Sequence, residues 1–185
     1  MSSFRVPRME IPVFVSCPSD LTPDQEKTAL LINNFLVKNR LSWRGLGRSD
    51  FPYHQPLAEV VGMMKRCSGG IILGFSQFYA DAGVYKKNTG VSARAEKNIV
   101  MPTPWNNLEA GIMYAYDIPT LVFAEEGIKG GIFDIGTPNV FVHKLPVGPS
   151  AGKDNQYDEL ETLIQNWASD VKAHYYGRRS SPQNI

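Results

Sequence analysis

The sequence of 185 residues has only two cysteines, Cys17 and Cys67. That is too few for a disulfide framework, and neither a CxxC pair nor a His-rich spacing points to zinc. There is no excess of charge of one sign: the net charge of +1 argues against broad electrostatic capture of nucleic acid or of an anionic membrane. No apolar run approaches the ~20 residues that a bilayer span needs. The opening MSSFRVPRMEIPVFV carries charges where a secretion signal needs an unbroken apolar stretch, so export is not expected and a reducing cytoplasm is the default. Repeats and low-complexity tracts are absent. What remains is ordinary globular material, 43% hydrophobic and 20% charged, enough for one continuous core.

Five short apolar runs read as strands, at residues 13–16, 41–45, 70–75, 119–123 and 140–143. Most are nearly continuous in apolar residues rather than alternating, the pattern of strands covered by helices on both faces. Helical spacing falls between them. Thr22-Pro23-Asp24-Gln25 offers an N-cap, a first-turn proline and a capping-box glutamine, and Thr28, Leu31, Ile32, Phe35 and Leu36 follow on one face. Leu57, Val60, Val61 and Met64 repeat the pattern after Pro56. A third helix opens at Thr103-Pro104 and carries Trp105, Leu108, Ile112 and Tyr116 at helical spacing. A fourth covers about 157–175, with Leu160, Leu163, Ile164, Trp167 and Val171 facing the core. This order implies an α/β fold with a doubly wound, mostly parallel five-stranded sheet. No crossover helix is visible between the last two strands, where 127–139 has room for a hidden helical turn. Residues 1–10 and the tail 177–185 read as loosely held extensions of a single domain over 11–176.

Connections entering strands are tight, whereas those leaving them are long: 17–21, 46–55, 76–102 and 124–139. Long loops inside a compact domain are usually functional or mobile. Open α/β sheets place ligands at the carboxyl ends of their strands. Both arguments choose one edge of the sheet, although a stretch such as 80–101 also reads as plain disorder.

Glu109 is the leading candidate for chemistry. It lies in TPWNNLEAG, in the second turn of a helix whose start faces that edge, with Trp105 one turn earlier on the same side. A carboxylate beside an aromatic wall suits stabilising, or attacking, a cation developing at a sugar anomeric carbon; a helix glutamate is also commonly a solvated surface group. Gly111 is expected to keep the opposing backbone close. Ser16, Cys17, Ser19 and Asp20 follow the first strand; the hydroxyls and the acid either bond a ribose or cap the first helix, while Cys17, with no histidine near it in sequence, lines the site or is a small buried thiol. The loop LGRSDFPYHQP brings Arg48, Asp50, Phe51, Tyr53 and His54, a set able to hold a phosphate and stack a base, or simply a surface loop. Tyr79 follows the third strand with Ser76 and Phe78. Lys86, Lys87, Arg94 and Lys97 then either meet nucleotide phosphates or stay in solvent. GIKGGIFD, at 127–134, lacks any phosphate-cradling glycine motif.

Taken in order, several segments resemble the Toll/interleukin-1 receptor (TIR) domain: IPVFVSCPSD its opening strand, LAEVVGMMKRCSGGIILGFSQFY its helix, third strand and Ser-x-x-Tyr run, and PTPWNNLEAG its Trp-x-x-x-Glu signature. The resemblance covers residues 11–123. Glu109-Ala110-Gly111 is also similar to the E-x-G of the neighbouring nucleoside 2-deoxyribosyltransferases. The resemblance implies a flavodoxin-like or TIR-like three-layer sandwich with no bound cofactor. It implies an enzyme cleaving an N-glycosidic bond of NAD or a related nucleotide, in bacterial defence or signalling. Glu109 would be the catalytic carboxylate, with Trp105 and Tyr79 walling the base and Ser16 and Asp50 bonding ribose hydroxyls. Self-association or an activating protein partner is implied too. The alternatives are a nucleoside hydrolase or deoxyribosyltransferase, and a non-catalytic nucleotide-sensing or self-associating module. Three departures stand: the 80–101 stretch is longer than TIR domains have there, an Asp-Arg-Asp run is reduced to Arg48-Ser49-Asp50, and the transferase Asp-x-Gly-Thr is replaced by Pro104-Trp105-Asn106-Asn107.

Overall fold

The computed structural model describes residues 10–47, 56–134, 141–147 and 154–180. Among these residues five strands form one parallel sheet: β1 (Ile11–Ser16), β2 (Leu41–Arg44), β3 (Gly70–Gly74), β6 (Thr120–Ala124) and β7 (Val142–Lys144), in the order β2-β1-β3-β6-β7. That is the flavodoxin-like order. Among the described residues four helices cover the sheet: α1 (Pro23–Lys38), α2 (Pro56–Met64), α3 (Pro104–Ala115) and α4 (Asp154–Ser180).

The sheet's side chains divide between its two faces. Val13, Val15, Ile71, Leu73, Leu121 and Phe123 pack with Ile32, Phe35 and Leu36 of α1 and Ile164, Trp167 and Val171 of α4. Phe14, Ile72 and Val122 pack with Val60, Met63 and Met64 of α2 and Ala110 and Met113 of α3. With both faces buried, alternation buys no exposure, so the strands read as apolar runs. The winding reverses between β1 and β3, which leaves a crevice at their carboxyl ends.

Local signals set the helix starts. Thr22 caps α1 in a full capping box: its Oγ1 accepts from Gln25 N at 3.3 Å, and its N donates to Gln25 Oε1 at 3.0 Å. Capping therefore belongs to Thr22 and not to Ser16 or Asp20. Thr103 caps α3, its Oγ1 accepting from Trp105 N at 3.4 Å.

Four expectations are corrected. The stretch 80–101 is not a loop but most of an antiparallel hairpin outside the main sheet, β4 (Phe78–Tyr85) with β5 (Arg94–Met101). Its strands are mostly exposed, so neither carries the apolar run that marks a covered strand. The second correction concerns α3, which turns Asn106, Glu109, Ala110 and Met113 inward while Trp105, Leu108 and Tyr116 are exposed, one residue away from the apolar stripe. Third, α4 runs through Ser180, past Gly177 where a loose tail was expected. Arg178 ties it down by donating to Lys65 O at 2.9 Å and Cys67 O at 3.2 Å. Fourth, a Cβ on Gly111 would meet open space, so this glycine keeps no backbone close.

Between β6 and β7 the chain makes a short 3-10 turn, Gly131–Phe133, the helical turn for which the sequence left room. Gly130 and Gly131 both have positive φ, and a side chain on Gly131 would collide with Asn107 Oδ1. The same Oδ1 accepts from Ile132 N at 2.9 Å. The glycines of GIKGGIFD thus fit a turn against α3.

Candidate active site

At the carboxyl end of β1 the chain leaves the sheet through Ser16-Cys17-Pro18-Ser19-Asp20, facing the first turns of α3. A cavity of about 430 Å³ opens there. The β1 loop forms one wall, with Leu46 and Gly47 after β2, and Pro56 and Val60 of α2. Gln77, Thr103, Trp105 and Glu109 line it too.

Glu109 is 8% exposed and lies against this cavity. Loss of hydration pushes its carboxyl up from 4.5 to about 7, and a hydrogen bond with the Ser16 hydroxyl offsets part of the rise. Burial of a carboxyl is costly, and groups with shifted titration cluster at functional sites. Ser16 is itself buried, and its Oγ accepts from Asn106 Nδ2 at 2.7 Å. Asn106, Ser16 and Glu109 thus form a buried polar floor under an otherwise apolar helix face.

Of the five candidate residues that are described, the cavity gathers four: Glu109, Trp105, Ser16 and Cys17. Trp105 is 41% exposed, so its indole forms a solvent-facing wall rather than core. Cys17 is partly buried, its thiol 3.6 Å from the carbonyl of Pro18. Tyr79 does not join them. It sits on the hairpin and lines a separate cavity of about 370 Å³ with Ser76, Glu125, Glu126 and Lys144, so the expectation that it walls the same base is corrected. Its register explains this: Tyr79 pairs with Val100, beyond the hairpin root that Gln77 N closes by donating to Met101 O at 2.9 Å. Arg48, Asp50 and Phe51, with Tyr53 and His54, lie outside the described residues.

Reading the sequence missed Asn106, Gln77 and Thr103. The usable signal for Asn106 was spacing, because Asn106, Glu109, Ala110 and Met113 also form a helical stripe, though half of it is polar. Of the basic residues after β3, Arg94 pairs with Glu96 at 3.2 Å and stacks on Tyr85, while Lys86, Lys87 and Lys97 are exposed on the hairpin. Among the described residues no group of three His, Cys, Asp or Glu could hold a metal ion, and no helix is long and apolar enough to cross a membrane.

No family model matches the chain, and no curated protein does. Among solved structures it is similar to a metal-soaked flavodiiron core from Synechocystis, 13% identical, over 89% of this chain and 36% of that one, with a TM-score of 0.47. It is also similar to a diflavin flavoprotein A3 from Nostoc, 12% identical, over 92% of this chain and 97% of that one, with a TM-score of 0.43. The chain spans little more than a third of the flavodiiron core's length. Neither protein is a TIR domain or a deoxyribosyltransferase, and likeness at this level says nothing about chemistry.

Proposed function

We propose that this chain is a TIR-like N-glycosidase that cleaves the nicotinamide–ribose bond of NAD or of a related nucleotide in the cytoplasm, in a defence or signalling role. One observation carries the reading: a desolvated carboxyl, Glu109, at the wall of a cavity that also holds an indole, at the crevice where the sheet's winding reverses. In its ionised form Glu109 stabilises positive charge growing on C1′, in a site with little water to screen it. The C1′–N bond breaks with its electron pair going to the ring nitrogen, so a cationic nicotinamide leaves neutral and needs no proton. Water then adds to C1′ and loses its proton to Glu109 or to solvent. A bound cationic ring also favours the carboxylate over the acid, drawing the Glu109 carboxyl down from about 7.

The same titration favours a second reading, a nucleoside or nucleotide hydrolase or deoxyribosyltransferase. A carboxyl half-protonated near pH 7 is also suited to donating a proton to a neutral leaving base.

The test is base release, followed by chromatography, from NAD and from a panel of nucleosides and nucleotides between pH 5.5 and 8.5. NAD cleavage that rises with pH through about 7 and vanishes in Glu109→Gln supports the leading reading. Release of neutral bases that falls over the same range supports the second. Nucleotide binding without turnover, unchanged in Glu109→Gln, replaces both with a non-catalytic sensing module.

A further inference from the structure

No residue of the hairpin β4–β5 lines the cavity beside Glu109, and on its own the hairpin is a poor structure. Not one residue from Phe78 to Met101 is buried. A two-stranded ribbon without a covered face is marginal in water. This one nevertheless holds Phe78, Tyr79, Val84, Tyr85 and Val91 exposed, Val91 entirely so. It is tied to the domain at its base, where Gln77 N donates to Met101 O at 2.9 Å and Val100 bridges to Ile128.

Charge is unevenly shared between this ribbon and the rest. Residues 78–101 hold four bases and two acids, a net +2, which leaves −1 for the remainder within the total of +1. Between Asp81 and Glu96 there is no acid, only Lys86, Lys87 and Arg94. Arg94 is engaged, paired with Glu96 at 3.2 Å and stacked on Tyr85. Lys86, Lys87 and Lys97 are exposed and have no ion pair among the described residues. The turn that presents the first two has a set shape. Lys86, Asn88 and Gly90 are left-handed, with φ of 48°, 64° and 62°, and Thr89 N donates to Lys86 O at 3.1 Å. A near-neutral total excludes capture of a polyanion by the molecule as a whole, but not by one projecting end.

We propose that the hairpin is an arm that docks in the major groove of duplex DNA, with Lys86, Lys87 and Lys97 meeting phosphates and Val91 reaching base edges. That groove is about 12 Å wide and admits a two-stranded ribbon. Strands of eight residues give the arm a reach of about 25 Å, and Ala82, Gly83 and Ala95 keep its middle slender. Asn88, Thr89 and Ser92 surround Val91 with groups that bond phosphates and base edges. The same polar tip speaks against a membrane, which one apolar side chain does not anchor. Pairing with the arm of a second copy is opposed by like charge.

The test is the fluorescence anisotropy of a labelled 20-base-pair DNA duplex, titrated with the full chain between 50 and 200 mM NaCl. Three phosphate contacts predict a Kd that rises about 40-fold over this range. Lys86→Gln with Lys87→Gln leaves one contact, and the rise shrinks to about fourfold. Lys27→Gln with Lys129→Gln removes equal charge at exposed positions off the arm and keeps the full rise. Val91→Ser weakens binding at every salt concentration without changing its salt dependence. Duplex RNA, whose major groove is too deep and narrow for side chains to read, binds at least about tenfold more weakly. Absence of binding at 50 mM salt, a loss reproduced by the off-arm pair, or RNA bound as tightly as DNA would each overturn the proposal. So would capture by anionic vesicles, or dimers, that the two lysine changes abolish while DNA binding persists. Base release enters none of these readouts, so the DNA-binding arm and the proposed activity stand or fall separately.

Discussion

Two glutamates stand at the same edge of the sheet and are treated in opposite ways. Glu125, directly after β6, accepts from Ser76 N at 2.6 Å and from Gln25 Nε2 at 3.0 Å, and Gln25 also donates to Ser76 O at 3.3 Å. It is a brace that ties α1 to the ends of β3 and β6. Glu109, on the other face, is buried against a cavity and pushed up to about 7. A carboxylate fed by several donors holds structure together, whereas one starved of water holds its proton more tightly.

The largest expected effect separates the two by activity. Under the proposed function, Glu109→Gln lowers base release by about 100-fold or more while leaving the fold intact, as expected when a group facing transition-state charge is removed. Glu125→Gln leaves turnover per folded molecule close to the wild type. Equal losses of turnover in the two variants would erase the distinction drawn between them.

A second expectation concerns stability against pH. The folded protein holds the Glu109 proton more tightly than the unfolded chain does. The stability this gives is complete below about 4.5 and is lost as pH rises to and beyond about 7. Glu109→Gln, which cannot ionise, should therefore be more stable than the wild type at pH 8, by up to about 3 kcal/mol, with the gap closing near pH 4. Urea midpoints at pH 4, 6 and 8 measure it, and a gap that is constant across the range contradicts the assignment.

Smaller again is the brace. Glu125→Ala leaves Ser76 N and Gln25 Nε2 without their acceptor and is expected to cost about 2 kcal/mol in urea unfolding, with Gln25→Ala costing less. Smallest is the hairpin. Shortening it between Ala82 and Lys97 removes mostly exposed pairs and should shift stability by less than about 1 kcal/mol. A larger loss would mean that the hairpin braces the domain.

The five parallel strands and the helix starts were legible because their causes are local: covered strands must be apolar, and Thr22 and Thr103 announce the turns they cap. The hairpin was not legible, because a ribbon with both faces in solvent needs no hydrophobic period. Its one sequence sign was Lys-Asn-Thr-Gly between segments holding Val84 and Val100. Glu109 could be found by its neighbourhood with Trp105, but not Asn106, because the search for an inward stripe favoured apolar residues and α3 turns a half-polar one inward. The placement of Tyr79 depended on strand register, which no single segment encodes.

The root of the hairpin, closed between Gln77 and Met101, borders the cavity wall formed by Gln77 and Thr103. Its far end carries Val91, whose side chain stands entirely clear of the protein. A dye attached there would ride at the far end of a ribbon rooted beside the candidate site. Ligand entry that disturbed Gln77 could then be followed as a change in the dye's tumbling, with no alteration to any residue that touches the ligand.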